Sequence, residues 1–211
     1  RAGVLVLGPL LAKFYKAKVS LPGGCAIGSR PVDIHLNALK KMGAIIKIKD
    51  GYIFAKAPKG LIGAKIVFPK ISVGATENIL IAACFAKGKT IMKNCACEPE
   101  IKDLSNFLIK CGCKIRWTGK RSIEVAGINE LQSTTYKIIF DRIEAGTYAI
   151  AAALTGGKVI IKNINPNIIK TELNVLKKMG VKIKKDNNQI QIINNNNLKK
   201  IDLITSPYPG F

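Results

Sequence analysis

The stretch that decides the fold is "GKTIMKNCACEPEIKDLSNFLIKCGCKI", Gly88 to Ile115. It reads as a strand opened by a lysine, a connector, an amphipathic helix that starts at Pro99 and stops at Gly112, and a second strand. The same order returns in "AKVSLPGGCAIGSRPVDIHLNALKKMGAIIKI" (Ala17 to Ile48) and in "GKVIIKNINPNIIKTELNVLKKMGVKI" (Gly157 to Ile183). Lys18, Lys89 and Lys158 correspond at spacings of 71 and 69, and Gly43, Gly112 and Gly180 at 69 and 68. A period near 70 residues is far longer than a solenoid repeat and marks a duplicated supersecondary unit.

The middle copy shows the unit in full. "AKIVF" is a strand, "ATENILIAACFAKG" a helix ended by Gly88, "KTIMKN" a strand and "PEIKDLSNFLIKCG" a helix, followed by "CKIRW" and "SIEVAG" as a hairpin around "TGKR". The order is βαβαββ, an α/β class in which right-handed crossovers pack helices on a sheet. Helices such as "AGTYAIAAAL" have almost no polar face and are expected inside, between sheets.

With 211 residues, 48% apolar and 22% charged, the chain is long enough for one or two cored domains and is not of the disordered class. Its apolar runs are much shorter than the roughly 20 residues of a spanning helix, and no signal peptide is read at its start. No membrane partner is expected. The chain opens without methionine in what reads as the middle of a helix, as a fragment would. Six cysteines are too sparse for a disulfide scaffold and fit a reducing, cytoplasmic compartment. The net charge of +21 favours anionic partners, but the lysines are interleaved with Ile and Asn along the whole chain, and aromatics are only 6%. A Lys/Ile/Asn-rich composition with an anionic small substrate is the primary reading, and a basic nucleic-acid-binding repeat protein the alternative. Cys95, Cys97, Cys111 and Cys113 could offer four thiolates to zinc, but Cys111 takes the slot of Met42 and Met179, and Cys113 that of Ala44 and Val181. These are packing positions, so no metal is expected. His35, the one histidine, is expected to be a partly buried structural residue.

The first copy breaks step with the others in its connector, "LPGGCAIGSRPVD", Leu21 to Asp33. Glycines there allow close approach of main chain to a ligand. Pro31 suits the first turn of the next helix, whose free N–H groups attract phosphate or carboxylate. Arg30 is a fixed, always-charged fork beside that end, and a thiol in this setting, Cys25, has its thiolate favoured. The alternative for Cys25 is a small residue filling a tight loop.

These residues, with "PKISVGATENILIAA" (Pro69 to Ala83), "EPEIKDLSNFL" (Glu98 to Leu108) and "DRIEAGTYAIAAA" (Asp141 to Ala153), closely resemble the UDP-N-acetylglucosamine 1-carboxyvinyltransferases. This is the enolpyruvyl transferase family that opens bacterial peptidoglycan synthesis, and the resemblance covers the whole chain. It implies two domains, each an inside-out α/β barrel of βαβαββ units, with residues 1–139 in one and 140–211 beginning the other. It implies transfer of the enolpyruvyl group of phosphoenolpyruvate to the 3-hydroxyl of UDP-N-acetylglucosamine, through a tetrahedral ketal and loss of phosphate, without metal or organic cofactor. Carried over by motif, Cys25 would be the catalytic loop cysteine that epoxide antibiotics of the fosfomycin type alkylate. Arg1 and Arg30 would hold phosphate and carboxylate. Arg30, Pro31, Val32, Asp33 and Ile34 would line the uridine site, and Lys70, Ile71, Ser72 and Val73 the diphosphate region. The family's N-terminal Lys-Asn pair and its Pro-Thr-Asp base have no counterpart in this sequence, so the chain alone is expected not to turn over substrate, and a gene fragment without function of its own is a further alternative.

Overall fold

The computed structural model describes residues 3–23, 32–194 and 197–210. Its contacts divide the chain into two compact units, Arg1–Lys137 and Ile138–Phe211. In the first unit a 3-10 turn (Gly3–Val6) leads into α1 (Leu7–Phe14), β1 (Lys16–Ser20), α2 (Asp33–Lys41), β2 (Ile45–Lys49) and β3 (Tyr52–Lys56). The second copy follows as β4 (Lys65–Val67), α3 (Val73–Ala83), β5 (Lys89–Lys93), α4 (Pro99–Lys110), β6 (Lys114–Gly119) and β7 (Ser122–Ala126). The second unit holds α5 (Arg142–Thr155), β8 (Gly157–Lys162), α6 (Lys170–Lys178), β9 (Lys182–Asp186) and β10 (Gln189–Asn194).

The three copies build three sheets on one plan. Their orders are β1-β3-β2, β4-β5-β7-β6 and β8-β10-β9, and in each the last strand of the copy lies between the two strands that precede it in sequence. β4 runs parallel to β5, as a strand–helix–strand crossover requires, and the other pairings are antiparallel. The repeated glycine explains why each copy turns at the same place. Gly43, Gly112 and Gly180 have φ of 91°, 95° and 99°. The next residue then closes back on the helix, with Ala44, Cys113 and Val181 N–H groups donating to the Leu39, Leu108 and Leu176 carbonyls at 3.0 Å. This closure across a left-handed residue caps the free carbonyls at the helix end.

In the first unit the helices lie inside and the sheets outside. Helix α3 packs against α1, α2 and α4, and its Ala75, Ile79, Leu80, Ala82 and Ala83 are sealed from solvent. The inner faces of the sheets meet this helical layer through Val19, Ile53 and Ala55 on one side and Ile66, Met92, Ile123 and Val125 on the other. Each large aliphatic side chain so buried contributes about 1.5–3 kcal/mol. The outer faces carry the charge, with Lys16, Lys18, Lys47, Lys49 and Lys56 exposed on the first sheet. On the second, Glu124 pairs with Lys89 at 3.2 Å and Arg116 at 3.1 Å.

Two expectations change, and one feature of the middle copy is not repeated. Helix α3 stops at Ala83, short of Gly88, because Cys84, Phe85 and Ala86 tighten into bonds to the carbonyls three residues back, at 3.2, 3.3 and 3.2 Å. The third copy has no first strand among the described residues. The chain before it is held instead against α4, where the Tyr136 hydroxyl donates to Asp103 Oδ1 at 2.7 Å and the Gln132 N–H donates to the Cys111 carbonyl at 2.8 Å. Helix α5 was expected wholly inside, yet it buries its small residues Ala145, Ala149, Ala152 and Ala153 while Ile143, Tyr148 and Leu154 stay exposed. β8, β10 and α6 pack against it. Among the described residues no helix is long and apolar enough to cross a membrane.

The left-handed glycine yields a stability prediction. A Cβ at Gly112 would make only ordinary contact with Gln132, at 3.5 Å, so backbone strain alone opposes it. Gly112→Ala should therefore cost about 1–3 kcal/mol, read as a lowered urea midpoint with unchanged slope. An unchanged midpoint would count against this role for the repeat glycine.

Candidate functional site

The connectors after β1, β4 and β5 lead into α2, α3 and α4, and α3 packs against both α2 and α4. At α3, the Ala75 N–H donates to Ser72 Oγ at 3.3 Å, and the Thr76 hydroxyl donates to the Ser72 carbonyl at 2.8 Å. Thr76 Oγ1 also accepts from the Ala96 N–H at 3.0 Å, which ties the connector ahead of α4 to the first turn of α3. On the other side, a Cβ at Gly74 would lie 3.4 Å from His35 Cε1 and 3.3 Å from Leu5 Cδ2. That glycine lets the first turns of α2 and α3 and the 3-10 turn close on each other. Helix N-termini gathered in this way present free N–H groups and positive dipole ends, which suits an anionic ligand.

Of the residues singled out by sequence, the structure brings two groups to this junction. Lys70, Ile71, Ser72 and Val73 form the entry to α3, with Lys70 exposed and Ser72 as its N-cap. Val32 is the N-cap of α2, Asp33 is exposed in its first turn and Ile34 is buried. Arg1, Cys25, Arg30 and Pro31 lie outside the described residues. A pocket of about 390 Å³ opens beside the two groups, lined by Ile34, Asn37, Ala38 and Lys41 from α2 and by Ile66 to Pro69. Asn37, Lys41 and Phe68 were not foreseen, because no local pattern says which residues a helix and a strand end will share.

The polar interior of the junction is more elaborate than its sequence signals. His35 is 7% exposed, and burial holds its imidazole below the ordinary 6.5, with Asp33 opposing the shift. Asn78 Nδ2 donates to His35 Nδ1 at 3.1 Å, so the neutral ring carries its proton on Nε2. The expected structural histidine is thus a buried acceptor. Glu77 is held above the usual carboxylate range by burial first, and then by the charges of Glu100 and Glu98. Glu98, the N-cap of α4, buries Oε2 without a hydrogen-bond partner. The run Thr76-Glu77-Asn78 in an otherwise apolar helix was the signal that could have marked this cluster.

Cys84, Cys95, Cys97, Cys111 and Cys113 are all buried and form no disulfide. Burial pushes Cys95 up to about 12, and a hydrogen bond with Cys113 together with burial pushes Cys84 up as well. The same hydrogen bond lowers Cys113, and all five thiols pack in the interior. Among the described residues no group of three or more His, Cys, Asp or Glu is placed to hold a metal ion.

The profile of the family described as EPSP synthase (3-phosphoshikimate 1-carboxyvinyltransferase) matches residues 1–211. The chain belongs to the EPSP synthase family. Among curated relatives, the UDP-N-acetylglucosamine 1-carboxyvinyltransferase of Pelagibacter ubique is 64% identical over all of this chain and 51% of its own length. Those of Endomicrobium trichonymphae and Xanthobacter autotrophicus are 52% and 50% identical, again over the whole chain and 50% and 49% of their own lengths. This EPSP synthase family chain therefore spans about half the length of the curated relatives it matches. Among solved structures, the enolpyruvyl transferase NikO from Streptomyces tendae superposes with a TM-score of 0.79 at 18% identity, over 97% of this chain and 49% of its own. EPSP synthase from Acinetobacter baumannii gives 0.66 at 20% identity, over 98% and 48%. The fold is that of the enolpyruvyl transferases, and the nucleic-acid alternative gains no support from these relatives.

The raised Glu77 carboxyl sets a pH dependence in this family member. Folded, Glu77 keeps a proton that the unfolded chain has lost above its ordinary 4.5, so its contribution to stability falls as pH rises through that window. Glu77→Gln should raise the urea midpoint at pH 7 and leave it unchanged near pH 4. A variant less stable than the parent at pH 7 would contradict the assigned shift.

Proposed function

We propose that this chain is part of a UDP-N-acetylglucosamine 1-carboxyvinyltransferase, a cytoplasmic enzyme of peptidoglycan synthesis. The carrying observation is 64% identity, across every residue of this chain, to a relative of that name. The reaction joins the sugar 3-hydroxyl oxygen to C2 of phosphoenolpyruvate while C3 takes a proton. The tetrahedral ketal then loses phosphate from C2 and a proton from C3, which restores the double bond.

Residues 1–139 would form one enolpyruvyl transferase domain and residues 140–211 the start of the second. The junction of helix N-termini supports an anionic ligand there, and both substrates carry phosphate. In this reading Lys70 to Val73 hold the diphosphate and Arg30 to Ile34 the uridine. Arg1 and Arg30 grip phosphate and carboxylate, and Cys25 supplies or receives the proton at C3. The base for the sugar hydroxyl lies outside this sequence.

The test combines binding with labelling. The 211-residue chain should bind UDP-N-acetylglucosamine saturably without turnover, and Lys70→Ala should weaken that binding. A fosfomycin-type epoxide should add once, at Cys25, and not to the five buried thiols, with no adduct in Cys25→Ala. Adducts elsewhere would refute the assignment of Cys25, and measurable turnover by the chain alone would refute only the expectation that the chain lacks part of the catalytic machinery.

A further inference from the structure

Asn78 is fully buried on α3, yet each end of its amide is bonded to a different segment. Its Oδ1 accepts from the Gly8 N–H at 2.7 Å, supplying a cap for α1 that its own N-cap residue, Val6, does not provide. Its Nδ2 donates to the Val4 carbonyl at 2.9 Å and to His35 Nδ1 at 3.1 Å. The Gly8 N–H needs an acceptor and the Val4 carbonyl needs a donor, so the amide has one possible orientation. Gly8 has to be glycine for this approach, because a Cβ there would overlap Asn78 Oδ1 and stand 2.6 Å from the Asn78 carbonyl oxygen.

The three partners lie next to the three stretches read as substrate-facing. Val4 belongs to the 3-10 turn that follows Arg1 and leads into Gly8 on α1, His35 immediately follows Val32 to Ile34, and Asn78, which joins them, lies five residues beyond Val73 on α3. We propose that Asn78 is a positioning residue for the nucleotide-sugar site, fixing the first turns of α2 and α3 and the 3-10 turn against one another through His35 and Gly8. The inference rests on reading those stretches as substrate-binding.

The latch works only while His35 Nδ1 is an acceptor. A protonated imidazole places an N–H against the Asn78 amide N–H₂, two donors face to face. The elements packed on His35 bring Gly74, Asn78 and Leu5, all uncharged, so Asp33 on its own helix is the charged group acting on the ring among the described residues. Affinity for the nucleotide sugar should therefore fall as pH drops through the titration of His35, and a purely structural buried amide would not impose that profile.

His35 is the one histidine of the chain, so its ring signals report its protonation without ambiguity. The experiment follows those signals and UDP-N-acetylglucosamine affinity by NMR in the same samples of the 211-residue chain, for the parent, Asn78→Leu, Asn78→Asp and the control Ser105→Ala. Ser105→Ala removes a buried bond to the Ile101 carbonyl on α4, away from the latch. The parent should lose at least fivefold in affinity across the His35 titration. Asn78→Leu should bind about tenfold more weakly, about 1.4 kcal/mol, at neutral pH. Asn78→Asp, where an imidazolium can donate to the new carboxylate, should titrate His35 above 6.5 and bind better at pH 6 than at pH 8. Ser105→Ala should match the parent. Parent affinity that stays flat while the folded protein's His35 takes up its proton overturns the inference, with or without folded variants, as does parent-like binding by folded Asn78→Leu. A parent that binds no UDP-N-acetylglucosamine at any pH overturns the nucleotide-sugar reading itself.

Discussion

A helix packed among other helices has to satisfy its buried polar atoms through its neighbours, and α3 is such a helix, with Val73, Gly74, Glu77 and Ile81 partly exposed along one stripe. Leaving one of those atoms unmet in the interior costs about 1–3 kcal/mol. Thr76 and Asn78, both fully buried, meet the requirement by bonding outward to Ser72, Ala96, Gly8, Val4 and His35. The bonds that keep α3 buried are therefore the ones that register the surrounding helix starts. Fold stability and site geometry rest on the same few contacts.

Placing helices inside leaves the sheets to face water, and this explains where the charge goes. Lysines alternate outward along the strands while Val, Ile and Met point to the helical layer. Helices and loops carry lysines as well, so the net charge of +21 is spread along the chain instead of gathered in one block. At the junction the positive helix N-termini sit beside Glu77, Glu98 and Glu100, and burial first, then the charges of Glu100 and Glu98, raises the Glu77 carboxyl.

The repeat was legible because each copy obeys local rules: lysine, strand, connector, helix, left-handed glycine, strand. The packing role of Cys111 and Cys113 followed from their slots in that frame, and both are buried. Of the site, the sequence reached the entry to α3 and the first turn of α2. It missed Asn78 because the bonds that give Asn78 its role join residues 70, 74 and 43 positions away, which no window of periodicity samples. It misjudged α5 for a related reason: composition says that a helix is apolar all round, but not whether both of its faces will find a partner.

The central claim, that the joined first turns of α2 and α3 receive a nucleotide sugar, is tested most directly by mapping backbone amide shifts of the labelled chain on titration with UDP-N-acetylglucosamine. The account predicts that the largest changes fall on Val32 to Ile34 and on Lys70 to Ala75, with the outer strands nearly silent. Changes concentrated on Lys47, Lys49 and Lys56 of the outer sheet face, with none at those two turns, would contradict it.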